Sequence, residues 1–236
     1  VRHARPLARV AYTAIGVLGE LLITLGLFLL AFLAWQLWWT DVEANRAQAQ
    51  ILDELVPAPL STQVAVPGEG DPPVMAAPAL RETFAALHVP RWEGDPPRPI
   101  SEGTDRATVL DVLGLGHYVG TAMPGEIGNF AVAGHRTTYG RPFHRVEELG
   151  IGDPLVVWTQ DTWYVYRVTS TLIVMPNQVD VIAPVPGDPT AVPTERMITL
   201  TTCHPMFSAR ERFIVHGVFE YWAPTSTGTP AELLGR

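Results

Sequence analysis

Residues 197–222 read MITLTTCHPMFSARERFIVHGVFEYW, from Met197 to Trp222. Met197–Thr202 and Arg212–Trp222 are rich in Ile, Val, Thr, Phe and Tyr, which suit the pleated, half-buried surface of a strand. Between them lies a loop that starts with Cys203 and holds Pro205 and Ser208. The same alternation of β-prone runs and turn residues recurs upstream. Ala85–Val89, Gly116–Ala122, Asn129–Ala133, Leu155–Trp158, Trp163–Thr169 and Leu172–Met175 are the further candidates, punctuated by Pro-Gly, Gly-Asn, Gly-Asp-Pro and Asp-Pro. This pattern predicts an all-β domain with short helices, its eight strands closed or nearly closed into a barrel. Thr104–Leu113 and Pro142–Leu149 are the expected helices.

Composition narrows the chemistry. The chain has 236 residues, 47% of them hydrophobic, with 22 Pro, 20 Gly and one Cys. That apolar fraction excludes disordered and collagen-like classes, and one Cys excludes a disulfide framework. All 16 basic residues are Arg, which removes Lys Schiff-base chemistry and the Lys-dependent phosphate loop. Residues 1–40 carry three Arg and one acid, residues 41–105 four Arg and eleven acids, and residues 106–236 nine Arg and twelve acids. No basic patch is present to neutralise phosphates, so no nucleic-acid partner is expected.

Leu21–Trp39 reads LLITLGLFLLAFLAWQLWW, with Thr24 and Gln36 its only polar side chains. A helix of this length spans a hydrocarbon core of about 30 Å. Trp35, Trp38 and Trp39 stand where indoles meet the headgroups, and Arg2, Arg5 and Arg9 favour retention on the cytoplasmic side. A cleaved signal has a shorter apolar run and a small-residue cleavage site, which this stretch lacks. The expected organisation is therefore a cytoplasmic N-terminus and transmembrane anchor over residues 1–40. A Pro-rich extracytoplasmic linker over 41–81, a β-barrel domain over 82–224 and a flexible tail over 225–236 follow. Ten Pro between residues 57 and 99 read as an extended, semi-rigid spacer.

Three side chains carry the candidate chemistry. Cys203, the sole thiol, ends a strand beside Arg210 and Arg212, which offers a thiolate both exposure and positive charge. His135 follows an apolar strand in GNFAVAGHRTTYG and is placed to act as an acid or base. Arg212 opens the strand after the Cys loop and is able to meet a developing oxyanion, although Arg210 competes because strand phase is unfixed. His204 adjoins Cys203, but neighbours along a strand point apart. His88, His117, His144 and His216 have no evident reactive partner, and His3 falls on the cytoplasmic side. No HExxH spacing points to catalytic zinc, and no dense acidic loop to calcium; no metal and no cofactor are expected.

Thr199-Leu200-Thr201-Thr202-Cys203 matches the TLxTC signature of sortases, with Arg212 in the position of the sortase arginine. Gly116–Thr137, GHYVGTAMPGEIGNFAVAGHRT, resembles the sortase segment that ends in the catalytic histidine, here His135. The resemblance covers about residues 82–222 and looks most like class E, with class D the near alternative. It implies a membrane-anchored cysteine transpeptidase on an eight-stranded barrel. Its substrates would be secreted proteins with a C-terminal LPxTG- or LAxTG-like sorting signal, cleaved between Thr and Gly. The acceptor would be an amine of the peptidoglycan precursor or a pilin Lys. By the same resemblance Cys203 forms the thioacyl bond, His135 is general acid and then base, Arg212 holds substrate and oxyanion, and Thr202 helps bind the peptide. The competing readings are a non-enzymatic, membrane-tethered β-domain that binds wall polymer or a partner protein, and a pilin-polymerising sortase.

Overall fold

The computed structural model describes residues 5–55 and 60–235. Arg2 and His3, and residues 56–59 of the expected linker, lie outside the described residues. The chain divides into two compact units, residues 1–40 and residues 41–236.

Helix α1 runs over Arg5–Leu55. One stretch of it is long and apolar enough to cross a membrane, with a mean hydropathy of 2.4. Leu22, Phe28, Leu30 and Trp38 are all exposed. Apolar residues surround the helix rather than forming one stripe, a pattern suited to lipid more than to a half-buried surface helix.

The second unit is built on β1 (Thr83–His88), β2 (Arg98–Glu102), β3 (Leu115–His117), β4 (Gly128–Ala133), β5 (Pro154–Trp158), β6 (Thr162–Val174), β7 (Arg196–His204) and β8 (Glu211–Pro224). They close into a barrel in the order β1-β2-β3-β4-β7-β8-β6-β5. β2 with β3 and β4 with β7 are parallel, and the other neighbours are antiparallel. Phe84, Ile100, Leu115, Phe130, Val132, Leu155, Tyr166, Ile198, Leu200 and Val215 fill the interior. Each such aliphatic or Phe side chain contributes about 1.5–3 kcal/mol on leaving water.

The strand set differs from the sequence expectation in three places, the first being Gly116–Ala122, of which only Leu115–His117 is strand, β3. β2 lies inside the Pro-rich stretch and was not anticipated. It tolerates Pro99 because β3 pairs only from Ile100 onward, so no N–H is missed on that ladder. Trp163–Thr169 and Leu172–Met175, read as two strands, are one strand, β6. The break falls at a bulge on Thr169, where the register against β8 shifts between Val168 and Ser170. The expected helix over Thr104–Leu113 is a single π-helical turn over Arg106–Leu110, capped by Asp105. The one over Pro142–Leu149 is a 3-10 turn over Val146–Glu148.

The compact unit begins at Asp41, well before residue 82. The Pro-rich segment lies along the barrel: Gly68 N–H donates to Trp222 O at 2.8 Å, and Tyr164 Oη donates to Pro73 O at 2.6 Å. Proline's preset φ lowers the entropy lost when such a segment docks. The C-terminal residues are also tied down. Thr229 N–H donates to Gln63 O at 2.9 Å, and Glu232 accepts from both Arg167 and Tyr221. These partners sit toward the Arg196 end of β7, away from Cys203 at the other end.

Candidate active site

Alternation along β7 sorts its residues between two faces. Ile198 and Leu200 enter the core, so Thr199, Thr201 and Cys203 share the outer face. Cys203 sits one residue before the end of the strand, is half-buried and is a free thiol. On β8 the residue directly opposite is Arg212. Arg210 lies in the loop before β8 and is exposed. The register thus separates the two arginines that the sequence left open. The Arg212 guanidinium rests on its own loop, with Nη1 donating to Ala209 O at 2.9 Å and to Glu211 O at 3.0 Å.

His135 arrives from the other side of β7. The parallel β4–β7 ladder ends with Ala133 opposite Thr201. Gly134 N–H donates to Thr201 O at 3.1 Å, which carries the pairing one step further. His135 therefore leaves β4 at the same barrel end and one strand over from Cys203. Gly134 has to be glycine, because a Cβ there would stand 2.5 Å from Leu115 and 2.7 Å from Phe143. The His135 ring is held on two sides. Its Nε2 lies 2.5 Å from Asp111 Oδ1, and the Tyr139 ring sits 5.3 Å away, centroid to centroid. A carboxylate oxygen only accepts, so Nε2 carries the proton.

Thr202 is 3% exposed and its hydroxyl donates to Gly134 O at 2.8 Å. It binds the backbone that delivers His135.

Asp111, Arg136 and Glu147 join the site without having been read from the sequence. Asp111 closes the π-helical turn, a position that composition and periodicity do not mark. Arg136 is buried, donates through Nη1 to Cys203 O at 3.3 Å and to His204 Nδ1 at 3.0 Å, and pairs through Nη2 with Glu147 at 2.7 Å. His204 Nδ1 faces Arg136 at 3.0 Å and Glu147 Oε1 at 3.3 Å, so its ring is turned to that cluster. Among the described residues, His117 and His144 have structural partners. His117 is buried against Glu102 at 2.6 Å, and His144 Nδ1 meets Arg141 O at 3.0 Å. Burial pushes the pKa of His88 and His216 down.

Farther back on the outer face of β7, four residues before Cys203, lies a buried polar chain. Thr199 Oγ1 donates to Asn129 Oδ1 at 2.7 Å and accepts from His216 Nδ1 at 2.8 Å. Asn129 Nδ2 donates to Ala183 O at 3.0 Å, which pins the β6–β7 connection over the sheet. Tyr118 Oη and Thr201 Oγ1 lie 3.0 Å apart on the same face. A cleft of about 250 Å³ bounded by Thr121, Glu126, Asn129, Ile182 and Pro193 opens farther along the sheet, toward the Gly128 end of β4.

Comparison with known proteins agrees with this geometry. The sortase domain family matches residues 87–220. Sortase SrtE1 of Streptomyces coelicolor is 39% identical over 234 residues, which cover 95% of this chain. The chain spans 62% of that relative's length. The solved SrtA sortase from Actinomyces oris is 47% identical, with a TM-score of 0.68 over 72% of this chain and 97% of its own. The crystal structure of sortase E1 from Streptomyces coelicolor, with a tripeptide in its active site, is 42% identical, with a TM-score of 0.60 over 66% of this chain and 99% of its own. A matching family domain over more than half the chain, on the same closed barrel, decides the assignment: this chain belongs to the sortase family.

Proposed function

We propose that this protein is a membrane-anchored cysteine transpeptidase acting on C-terminal sorting signals. The observation that carries the reading is the convergence at one barrel end. Cys203 on β7 faces Arg212 across the β8 ladder, while β4, paired on its other side, leads into His135. The tripeptide in the active site of the related sortase E1 supports an extended peptide as substrate.

In the first half-reaction the Cys203 thiolate attacks the carbonyl carbon of the Thr–Gly bond. The oxyanion that develops is met by Arg212, and its collapse breaks the C–N bond. The departing Gly amine takes a proton from the protonated His135, leaving a thioester on Cys203. In the second half-reaction an acceptor amine attacks that thioester and gives its proton back to His135. A new amide forms and the thiolate returns, so one difficult exchange becomes two easier ones. Asp111 holds the proton on Nε2, leaving Nδ1 to exchange it. The span in α1 serves as the anchor, with the barrel on the extracytoplasmic side. Peptidoglycan precursor amines are the acceptor class.

The test uses the full chain in detergent micelles with LAxTG and LPxTG peptides and a Gly-based amine. Transfer of the Thr-terminated fragment to the amine, abolished in Cys203→Ala, is the expected result. Amine-independent release that persists in Cys203→Ala would overturn the reading.

A further inference from the structure

Helix α1 continues past its apolar stretch, and its polar end touches the loop that follows His135. Asp41, Asn45 and Gln48 recur at helical spacing on one face. Asp41 is 7% and Gln48 2% exposed, although the first follows directly on the apolar run. Buried polar groups hold a place because their bonds are made, and here the partners fall on three consecutive loop residues. Gln48 Nε2 donates to Tyr139 O at 3.2 Å, Asp41 Oδ1 accepts from Gly140 N–H at 3.0 Å, and Asp41 Oδ2 pairs with Arg141 Nε at 2.7 Å. Arg98 of β2 braces the same face, its Nη1 donating to Asn45 Oδ1 at 2.6 Å and Gln48 Oε1 at 3.1 Å.

Those three loop residues are the unusual ones. Tyr139, Gly140 and Arg141 have φ of 53°, 82° and 48°, a left-handed run that Tyr and Arg rarely adopt. Such strain persists only where surrounding contacts over-determine it, and it gathers at functional sites. A Cβ at Gly140 would stand 2.9 Å from Asn45 Oδ1, so the helix is packed hard against this turn. The turn is what lays the Tyr139 ring against His135.

We infer that Asp41 and Gln48 are positioning residues of the active site: the helix end directly following the apolar stretch holds Tyr139–Arg141 in the conformation that sets the His135 ring. The inference rests on the transpeptidase reading for its kinetic consequence but not for its structural one. A ring displaced by about 1 Å from its productive place costs on the order of 100-fold in rate while substrate binding is untouched.

The experiment compares the full chain in nanodiscs with Gln48→Met, which keeps volume but removes both bonds, and with Asp41→Ala. Asp41→Asn, which retains an acceptor for Gly140 N–H, is the conservative variant. Arg46→Ala, on the exposed face of the same helix, is the control. Two readouts are taken: kcat and KM for sorting peptide, and the titration of the His135 ring by ¹⁵N-histidine NMR, assigned with His135→Gln. The expected result is a 10- to 100-fold fall in kcat with KM within about twofold, a displaced His135 titration, partial recovery in Asp41→Asn and no change in Arg46→Ala. Folded Gln48→Met and Asp41→Ala proteins with wild-type His135 titration would overturn the inference, as would losses of melting temperature alone. A His135 titration that moves in a chain with no Cys203-dependent transfer would uphold the positioning role and sink the transpeptidase reading.

Discussion

The imidazole of His135 and the carboxylate of Asp111 are joined by a 2.5 Å hydrogen bond although they stand 24 residues apart. Both side chains are largely shielded, at 16% and 17% exposure. Arg106 adds a 3.6 Å contact to the same carboxylate oxygen. Replacing Asp111 by Ala frees the ring to rotate and to change tautomer. The expected effect is a loss in kcat/KM on the order of 10- to 100-fold, from the share of acid–base catalysis that orientation supplies. Asp111→Asn is expected to be no better, because its amide NH₂ favours the wrong tautomer. The pH–rate profile of both variants checks this.

Register predicts which arginine matters. Arg212 lies across the ladder from Cys203, and Arg210 lies in the exposed loop. Arg212→Ala is expected to lower kcat by about 100- to 1000-fold, the usual loss of an oxyanion donor. Arg212→Lys is not expected to rescue it, since an ammonium lacks the planar fork. Arg210→Ala is expected to leave the rate within a few-fold. Steady-state kinetics on the three variants decide the matter.

Thr202 acts on the scaffold under the site. Its hydroxyl bond to Gly134 O is buried, so Thr202→Val leaves a carbonyl without its donor and costs about 1–3 kcal/mol. Thr202→Ser keeps the donor and is expected to retain most of that stability. Denaturant unfolding measures both.

Two desolvated histidines, His216 buried and His88 half-buried, give the fold a pH dependence. Burial lowers the pKa of His88 and of His216 in the folded chain. The unfolded chain therefore binds more protons as pH falls through about 6.5, and stability declines below that value. Above it the contribution is fully present. Thermal melts between pH 5 and pH 8 are expected to show the decline, and His88→Gln is expected to flatten it.

Much of the barrel was legible because its strands follow composition and turn chemistry, as Asn129–Ala133 and Met197–Thr202 show. β2 was hidden by Pro96, Pro97 and Pro99, whose local meaning argues against a strand; only pairing with β1 and β3 makes Arg98–Glu102 one. Cys203, His135 and Arg212 are candidates from residue type, position and resemblance, and the ladders bring them to one barrel end. Asp111 is no such candidate, because a carboxylate within an expected helix has no periodic or spacing signal that points to a ring 24 residues away. The segment after the apolar run falls in the expected 41–81 linker, because nothing in its own sequence marks which of its polar residues are buried. Their burial arises only once the loop after His135 offers Gly140 N–H and Tyr139 O as partners.

The central claim is that Cys203 carries the substrate covalently. Intact mass spectrometry of the full chain, mixed with an LAxTG or LPxTG peptide and quenched in acid, tests it most directly. The account predicts a mass gain equal to the peptide fragment ending at Thr, located on Cys203, absent from Cys203→Ala and discharged by an added amine. A folded chain that cleaves peptide with no adduct on Cys203, or whose adduct persists when an amine is supplied, would contradict it.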